Sequence, residues 1–151
     1  MKAHKLTVTQ LSFSHSDKYL LSAGRDRQFS LFVKSEVEGE APFKLFCKLP
    51  KAHERIIWGC DWTMDDKFFI TGSRDKTCKI WSIVDDNVSE IASFTPAKVG
   101  VTSVAFAPST YQSDSYLIAV GLENGLIQLW SFSPSQEAEK RTTNLFNIDP
   151  K

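Results

Sequence analysis

Phe68-Phe69-Ile70-Thr71-Gly72-Ser73-Arg74-Asp75-Lys76 has an earlier counterpart in the same chain, Tyr19-Leu20-Leu21-Ser22-Ala23-Gly24-Arg25-Asp26-Arg27. Asp26 and Asp75 stand 49 residues apart, and the same offset relates His4 to His53, Phe13 to Trp62 and Phe32 to Trp81. A third copy places Trp130 another 49 residues on, after Gly121-Leu122-Glu123-Asn124-Gly125. Its first segment is displaced, because Phe106 lies only 44 residues beyond Trp62. The five extra residues, Tyr111-Gln112-Ser113-Asp114-Ser115, are polar and read as an inserted loop.

Within each copy the hydrophobic period is two. Phe29, Leu31 and Val33 interleave with Ser30 and Phe32, following an apolar run at Tyr19–Ala23 and a tight turn at Gly24-Arg25-Asp26-Arg27. The pattern predicts strands at Val8–Phe13, Tyr19–Ala23 and Phe29–Val33 in copy one. Copy two supplies Ile57–Trp62, Phe68–Gly72 and Cys78–Ile83; copy three supplies Val101–Phe106, Tyr116–Val120 and Leu126–Phe132. A fourth, weaker strand is expected at Phe43–Leu49, Val88–Phe94 and Thr143–Ile148, with a helical turn in the polar connector Ser133–Lys140. Four short strands per repeat of 40–50 residues make one propeller blade, since a repeat unit of that size buries its apolar faces only against its neighbours. The fold expected is all-β: about three four-stranded antiparallel blades of an incomplete propeller. Blade one is assigned to residues 1–49, blade two to 50–96, and blade three with a polar C-terminal connector or partial strand to 97–151.

Composition narrows the function classes without choosing one. The 151 residues include 18 Lys+Arg and 18 Asp+Glu, giving zero net charge, which argues against a polybasic nucleic-acid arm or an acidic tail. Hydrophobic residues at 42% and aromatics at 12% suffice for a packed core. Apolar runs are too short to span a bilayer, and Met1-Lys2-Ala3-His4-Lys5 opens no secretory signal. Three cysteines, Cys47, Cys60 and Cys78, lack CxxC spacing and imply buried thiols in a reducing compartment.

The spacing His4…Ser22…Asp26 and His53…Thr71…Asp75…Trp81, closed by Lys79-Ile80-Trp81, resembles the WD40 repeat pattern. The resemblance implies a hydrogen-bonded network through His4, Ser22 and Asp26 in blade one, and His53, Thr71, Asp75 and Trp81 in blade two. Blade one has Phe32 for Trp, so its chain is shortened. Blade three keeps Trp130 but has Ala97, Val120 and Asn124 elsewhere, and no such network is expected there. The strings Ser14–Leu21, Arg55–Trp62, Phe69–Lys76 and Ala119–Glu123 are similar to the second-subunit family of the Elongator complex, over most of positions 4–132. That resemblance implies late blades of the second of two WD40 propellers, with a closing repeat after Lys140 missing or cut short. It implies a scaffold role in wobble-uridine modification of transfer RNA, with the chemistry in another subunit. The implied partners are the largest scaffold subunit and the catalytic subunit, with transfer RNA contacted weakly or indirectly. The implied location is the cytoplasm, with the nucleus as a second.

No residue set supports catalysis. His53, Asp75 and Thr71 or Ser73 mimic a hydrolase triad, but the set recurs 49 residues earlier and no G-x-S-x-G elbow precedes either copy. His53-Glu54-Arg55-Ile56-Ile57 lacks a second zinc-ligating His, Asp65-Asp66 and Asp85-Asp86 read as turn residues, and Gly72–Lys76 lacks Walker spacing. No catalytic, metal or cofactor site is expected. By the WD40 resemblance, an interaction face comprises Thr7, Thr9 and Arg25 from blade one, Ile56, Trp58 and Arg74 from blade two, and Gly100, Thr102 and Glu123 from blade three. Three readings of its arginines stand side by side: protein docking, bracing of the turns, or an RNA grip through Arg25, Arg27, Arg74 and Lys76 beside Trp58.

Overall fold

A computed structural model describes residues 2–112 and 114–148. Among these residues twelve strands form three separate four-stranded sheets. Sheet one holds β1 (Val8–Phe13), β2 (Tyr19–Gly24), β3 (Phe29–Lys34) and β4 (Phe43–Leu49). Sheet two holds β5 (Ile57–Trp62), β6 (Phe68–Ser73), β7 (Cys78–Val84) and β8 (Asn87–Phe94). Sheet three holds β9 (Val101–Gln112), β10 (Ser115–Leu122), β11 (Ile127–Phe132) and β12 (Thr142–Ile148), with a 3-10 turn at Ala138–Lys140. Every ladder is antiparallel between sequence neighbours, as short hairpin connections require. Among the described residues no helix is long and apolar enough to cross a membrane.

The turns explain why the strands stop where they do. Arg27, Lys76 and Gly125 occupy the same turn position in the three sheets with φ of 68°, 78° and 85°. Their N–H groups close onto Gly24, Ser73 and Leu122 carbonyls at 3.3, 3.1 and 3.0 Å. The sheets also share an irregularity in the first strand, between Val8 and Gln10 in β1 and between Ile57 and Gly59 in β5. Such bulges re-aim side chains by adding a residue on one strand.

Packing is face to face, and each joint has its own core. Between sheets one and two, Tyr19, Leu21, Phe29 and Leu31 meet Ile57, Cys60, Trp62, Phe69 and Trp81. Tyr19 stacks on Trp62 at 5.8 Å, and Phe29 meets Trp81 edge-on at 4.9 Å. Between sheets two and three, Ile70, Cys78, Ile80 and Phe94 meet Val101, Phe106, Ile118, Val120 and Phe132. Fully burying one such side chain contributes about 1.5–3 kcal/mol, so the joints are the chief source of cohesion. Gly72 lets sheet two pack closely on sheet three: a Cβ there would lie 2.7 Å from Val101 Cγ1. Polar bonds lock the rims. Asp66 accepts the His15 and Ser16 N–H groups, each at 2.7 Å, and Asp61 accepts the Phe106 N–H at 2.7 Å.

The stretch around residues 111–115 differs from the expected loop. Tyr111 and Gln112 continue β9 and Ser115 opens β10, with Gln112 paired to Ser115 and Thr110 to Tyr116. Ser113 lies outside the described residues. The hairpin is lengthened by backbone pairing, which does not depend on side-chain polarity.

Candidate functional site

The turn between β6 and β7 aims the Asp75 carboxylate back at the loop entering sheet two. Asp75 Oδ2 accepts from His53 Nδ1 and from the Glu54 N–H, both at 2.9 Å. Its Oδ1 accepts the Thr77 N–H at 2.9 Å and the Thr77 hydroxyl at 2.6 Å. The other ring nitrogen, His53 Nε2, lies 2.8 Å from Thr71 Oγ1, which also accepts the Trp81 indole N–H at 2.9 Å. One tautomer satisfies the whole chain: indole N–H to Thr71 oxygen, Thr71 O–H to Nε2, and Nδ1–H to the carboxylate. Burial alone would raise the Asp75 carboxyl, but donation from His53, Thr77 and the Glu54 N–H outweighs it and holds the group well below the usual carboxylate range.

Blade one repeats part of this arrangement. His4 Nδ1 lies 2.9 Å from Asp26 Oδ1 and Nε2 lies 2.6 Å from Ser22 Oγ, while the Lys5 N–H donates to Asp26 Oδ2 at 2.8 Å. Phe32 ends the chain where Trp81 would extend it. Blade three differs again. Among the described residues Asn124 Oδ1 accepts just the Leu126 N–H, at 3.3 Å, and the Trp130 indole turns to Gln128 Oε1 at 2.9 Å. Glu123, one residue before Asn124, accepts the Gly100 N–H at 3.2 Å. A carboxylate therefore still reaches the entering loop, from a neighbouring position. Thr77, Gln128 and this role of Glu123 escaped the sequence reading. A hydroxyl two residues after the turn Asp, and a glutamine two before the Trp, were the available signals.

The nine residues assigned to the interaction face fall into a repeated geometry. Arg25, Arg74 and Glu123 donate their backbone N–H groups to the Thr7, Ile56 and Gly100 carbonyls at 2.8, 2.9 and 3.0 Å. Each of the three side chains is exposed. Thr9, by contrast, spends its hydroxyl at the blade joint, 2.5 Å from the Ile57 carbonyl and 3.1 Å from that of Ala23. Trp58 is half-buried, Gly100 is buried and Thr102 is exposed. Arg74 Nε also lies 3.4 Å from Glu123 Oε1, an exposed pair worth little stability.

At the joint of sheets one and two, Arg25, Arg27, Glu54, Arg55, Ile56 and Arg74 line a cleft of about 220 Å³. Four of its six lining residues are arginines and one is a glutamate. Arg55 was not singled out from sequence, whereas Lys76, which was, is exposed but does not line the cleft. Guanidinium groups pair carboxylates and phosphates through two parallel N–H bonds, so the cleft suits an anionic partner. It offers no paired nucleophile and base. Among the described residues, no three of His, Cys, Asp and Glu cluster to hold a metal ion. Burial pushes the Cys60 and Cys78 thiols far up, so neither ionises readily.

Residues 1–32 and 44–82 match the family described as WD domain, G-beta repeat. These are WD40 repeats. The WD40 repeats of RRP9, seen in a crystal structure, superpose with a TM-score of 0.75 at 18% identity, covering 97% of this chain and 40% of that one. Among curated relatives, Elongator complex protein 2 of Dictyostelium discoideum is 44% identical over 93% of the chain. The human protein of that name is 39% identical over 89%, and that of Arabidopsis thaliana 44% over 85%. The chain spans only 16–18% of the length of these relatives.

Proposed function

We propose that this WD40 chain is a non-catalytic scaffold segment of an Elongator-type complex, serving wobble-uridine modification of transfer RNA while another subunit performs the chemistry. Similarity to Elongator complex protein 2 across nearly the whole chain supports membership. The observation that carries the scaffold reading is the arginine cleft. Arg25 and Arg74 sit on turns pinned by equivalent backbone bonds in two blades, and Arg27 closes the first of those turns, so three of the four side chains spring from a fixed backbone. Preorganised donors lose less entropy on docking, and Arg is among the residue types enriched in interface hot spots. The partners are the largest scaffold subunit and the catalytic subunit, each engaged through acidic side chains. The complex works in the cytoplasm, with the nucleus as a second location.

A second reading has Arg25, Arg27, Arg74 and Lys76 gripping RNA phosphates. Local cation density favours it, but Glu123 at 3.4 Å from Arg74 and Glu54 in the cleft wall break the basic track. The double variant Arg25→Ala/Arg74→Ala separates the two. Scaffold docking predicts loss of co-purification with the largest and catalytic Elongator subunits, with transfer RNA binding barely changed. Normal assembly combined with weaker RNA binding, and a salt dependence flatter by about 0.7 in slope per single-strand contact removed, would overturn the scaffold reading.

A further inference from the structure

Of the four asparagines in the chain, Asn124 alone is followed by glycine; Asn87, Asn144 and Asn147 precede Val88, Leu145 and Ile148. The pair Asn124-Gly125 lies in the turn between β10 and β11, where the other two sheets carry Asp26-Arg27 and Asp75-Lys76. Those aspartates accept the N–H groups of their entering loops. In blade three Glu123 performs that task, and the Asn124 carboxamide bends forward to the Leu126 N–H instead.

That forward bend is a chemical arrangement. An asparagine carboxamide is an electrophile for the backbone nitrogen of the next residue, which attacks Cγ and closes a cyclic imide. A side chain on that next residue obstructs the attack, and Gly125 has none. The Asn124 side chain is folded over the peptide to be attacked, because its Oδ1 accepts the Leu126 N–H at 3.3 Å in an Asx turn that spans Gly125. Glu123, Asn124 and Gly125 are all exposed, so water and hydroxide reach the turn. One contact opposes the reaction. The Gly125 N–H donates to the Leu122 carbonyl at 3.0 Å, and this bond must open before the nitrogen is free. Opening at an exposed turn breaks no packing, so it slows the attack without preventing it.

We propose that Asn124-Gly125 is a spontaneous modification site at which the folded chain deamidates to aspartate and isoaspartate. Hydroxide takes the Gly125 N–H proton, the nitrogen bonds to Asn124 Cγ, and the side-chain nitrogen leaves as ammonia. Water then opens the imide at either carbonyl. The balance is one water consumed and one ammonia released, with no oxidant or cofactor. Opening at Cγ gives aspartate, so blade three acquires the turn carboxylate that Asp26 and Asp75 supply to the others. Opening at the backbone carbonyl reroutes the main chain through Cγ, adds a methylene to the turn and leaves a free α-carboxylate. That product is the substrate class of isoaspartyl carboxyl methyltransferases. Either product places a second negative charge beside Glu123, whose Oε1 lies 3.4 Å from Arg74 Nε, so the charge of this face falls as the molecule ages.

The test follows the four asparagines in the full chain, incubated at mildly alkaline pH both native and unfolded in urea. Peptide mass analysis reads each amide, and an isoaspartyl methyltransferase with labelled S-adenosylmethionine reads the isoaspartate. In the native arm the Asn124 peptide should split into aspartyl and isoaspartyl forms while Asn87, Asn144 and Asn147 keep their amides. The rate should rise in proportion to hydroxide, and the urea arm should react faster because the Leu122 bond is gone. Asn124→Gln, at an exposed turn, should keep the fold and lose the methyl label, since the larger imide ring closes far more slowly. A native arm that keeps the Asn124 amide while the urea arm loses it would overturn the proposal. So would equal rates in the two arms, loss spread over all four asparagines, or a label that persists in Asn124→Gln.

Discussion

In blade two a single relay runs from the Trp81 indole through Thr71 and His53 to Asp75. In blade three Trp130 stops at Gln128 in its own strand, and Glu123 alone reaches back to the entering loop. The two arrangements satisfy the same obligations, since a buried indole needs an acceptor and an entering loop needs its N–H groups capped. They differ in what they bind together. The blade-two relay joins segments 18 and 22 residues apart through buried groups, whereas the Trp130 bond is local. Only the first kind ties the loop, the turn and the central strands into one unit.

The comparison breaks most sharply at Asp75. Asp75→Ala strands the His53 ring donor and the Glu54 N–H, and should cost about 1–3 kcal/mol, the usual penalty for an orphaned buried polar group. Asn124→Ala removes one long bond at an exposed turn and should cost a few tenths. Equal shifts in thermal melting would show that the relay carries no special weight. Acid provides the next separation. The folded Asp75 carboxyl titrates below its unfolded value, so its contribution is complete above the unfolded pKa of about 3.9 and is lost as pH falls below it. Wild type should therefore lose melting temperature more steeply below about pH 4 than Asp75→Asn does, whereas Asn124→Ala should follow the wild-type slope. Parallel acid limbs for wild type and Asp75→Asn would remove Asp75 as the cause. The smallest effect concerns the turns. Lys76 adopts the left-handed conformation that Gly125 occupies in blade three. Lys76→Gly relieves strain and should stabilise or leave stability unchanged, while Gly125→Ala should destabilise by about 1 kcal/mol. Urea midpoints for the two variants would reveal a reversed sign.

The strands were legible because period-two runs end at polar turns such as Gly24-Arg25-Asp26-Arg27 and Ser73-Arg74-Asp75-Lys76, a local signal that needs no tertiary information. The polar run at residues 111–115 misled for the same reason: composition speaks for side chains, but the Gln112–Ser115 pairing is made by backbone. His53, Thr71, Asp75 and Trp81 could be proposed together because the repeat aligns them with a known pattern. Thr77 lies outside that pattern, and blade one has Gln28 in its place, sending its amide to the Ala3 carbonyl at 3.0 Å. Arg55 illustrates a different limit. It belongs to blade two's entering loop, and only the approach of Arg25 and Arg27 from blade one makes it part of a cleft. Proximity across a joint leaves no trace in the spacing of one repeat.

The strand order within each sheet sets the timing of synthesis as well as the shape. Every ladder closes between successive strands, so a blade can zip up as soon as its own residues have emerged. Its covering partner is encoded about 49 residues later, and translation at roughly 5–20 residues per second leaves a delay of about 2–10 s. During that interval Leu21, Phe29 and Leu31 face water on a finished sheet. At each such stage a holding chaperone has an apolar surface to occupy, and the stage ends when the next repeat arrives.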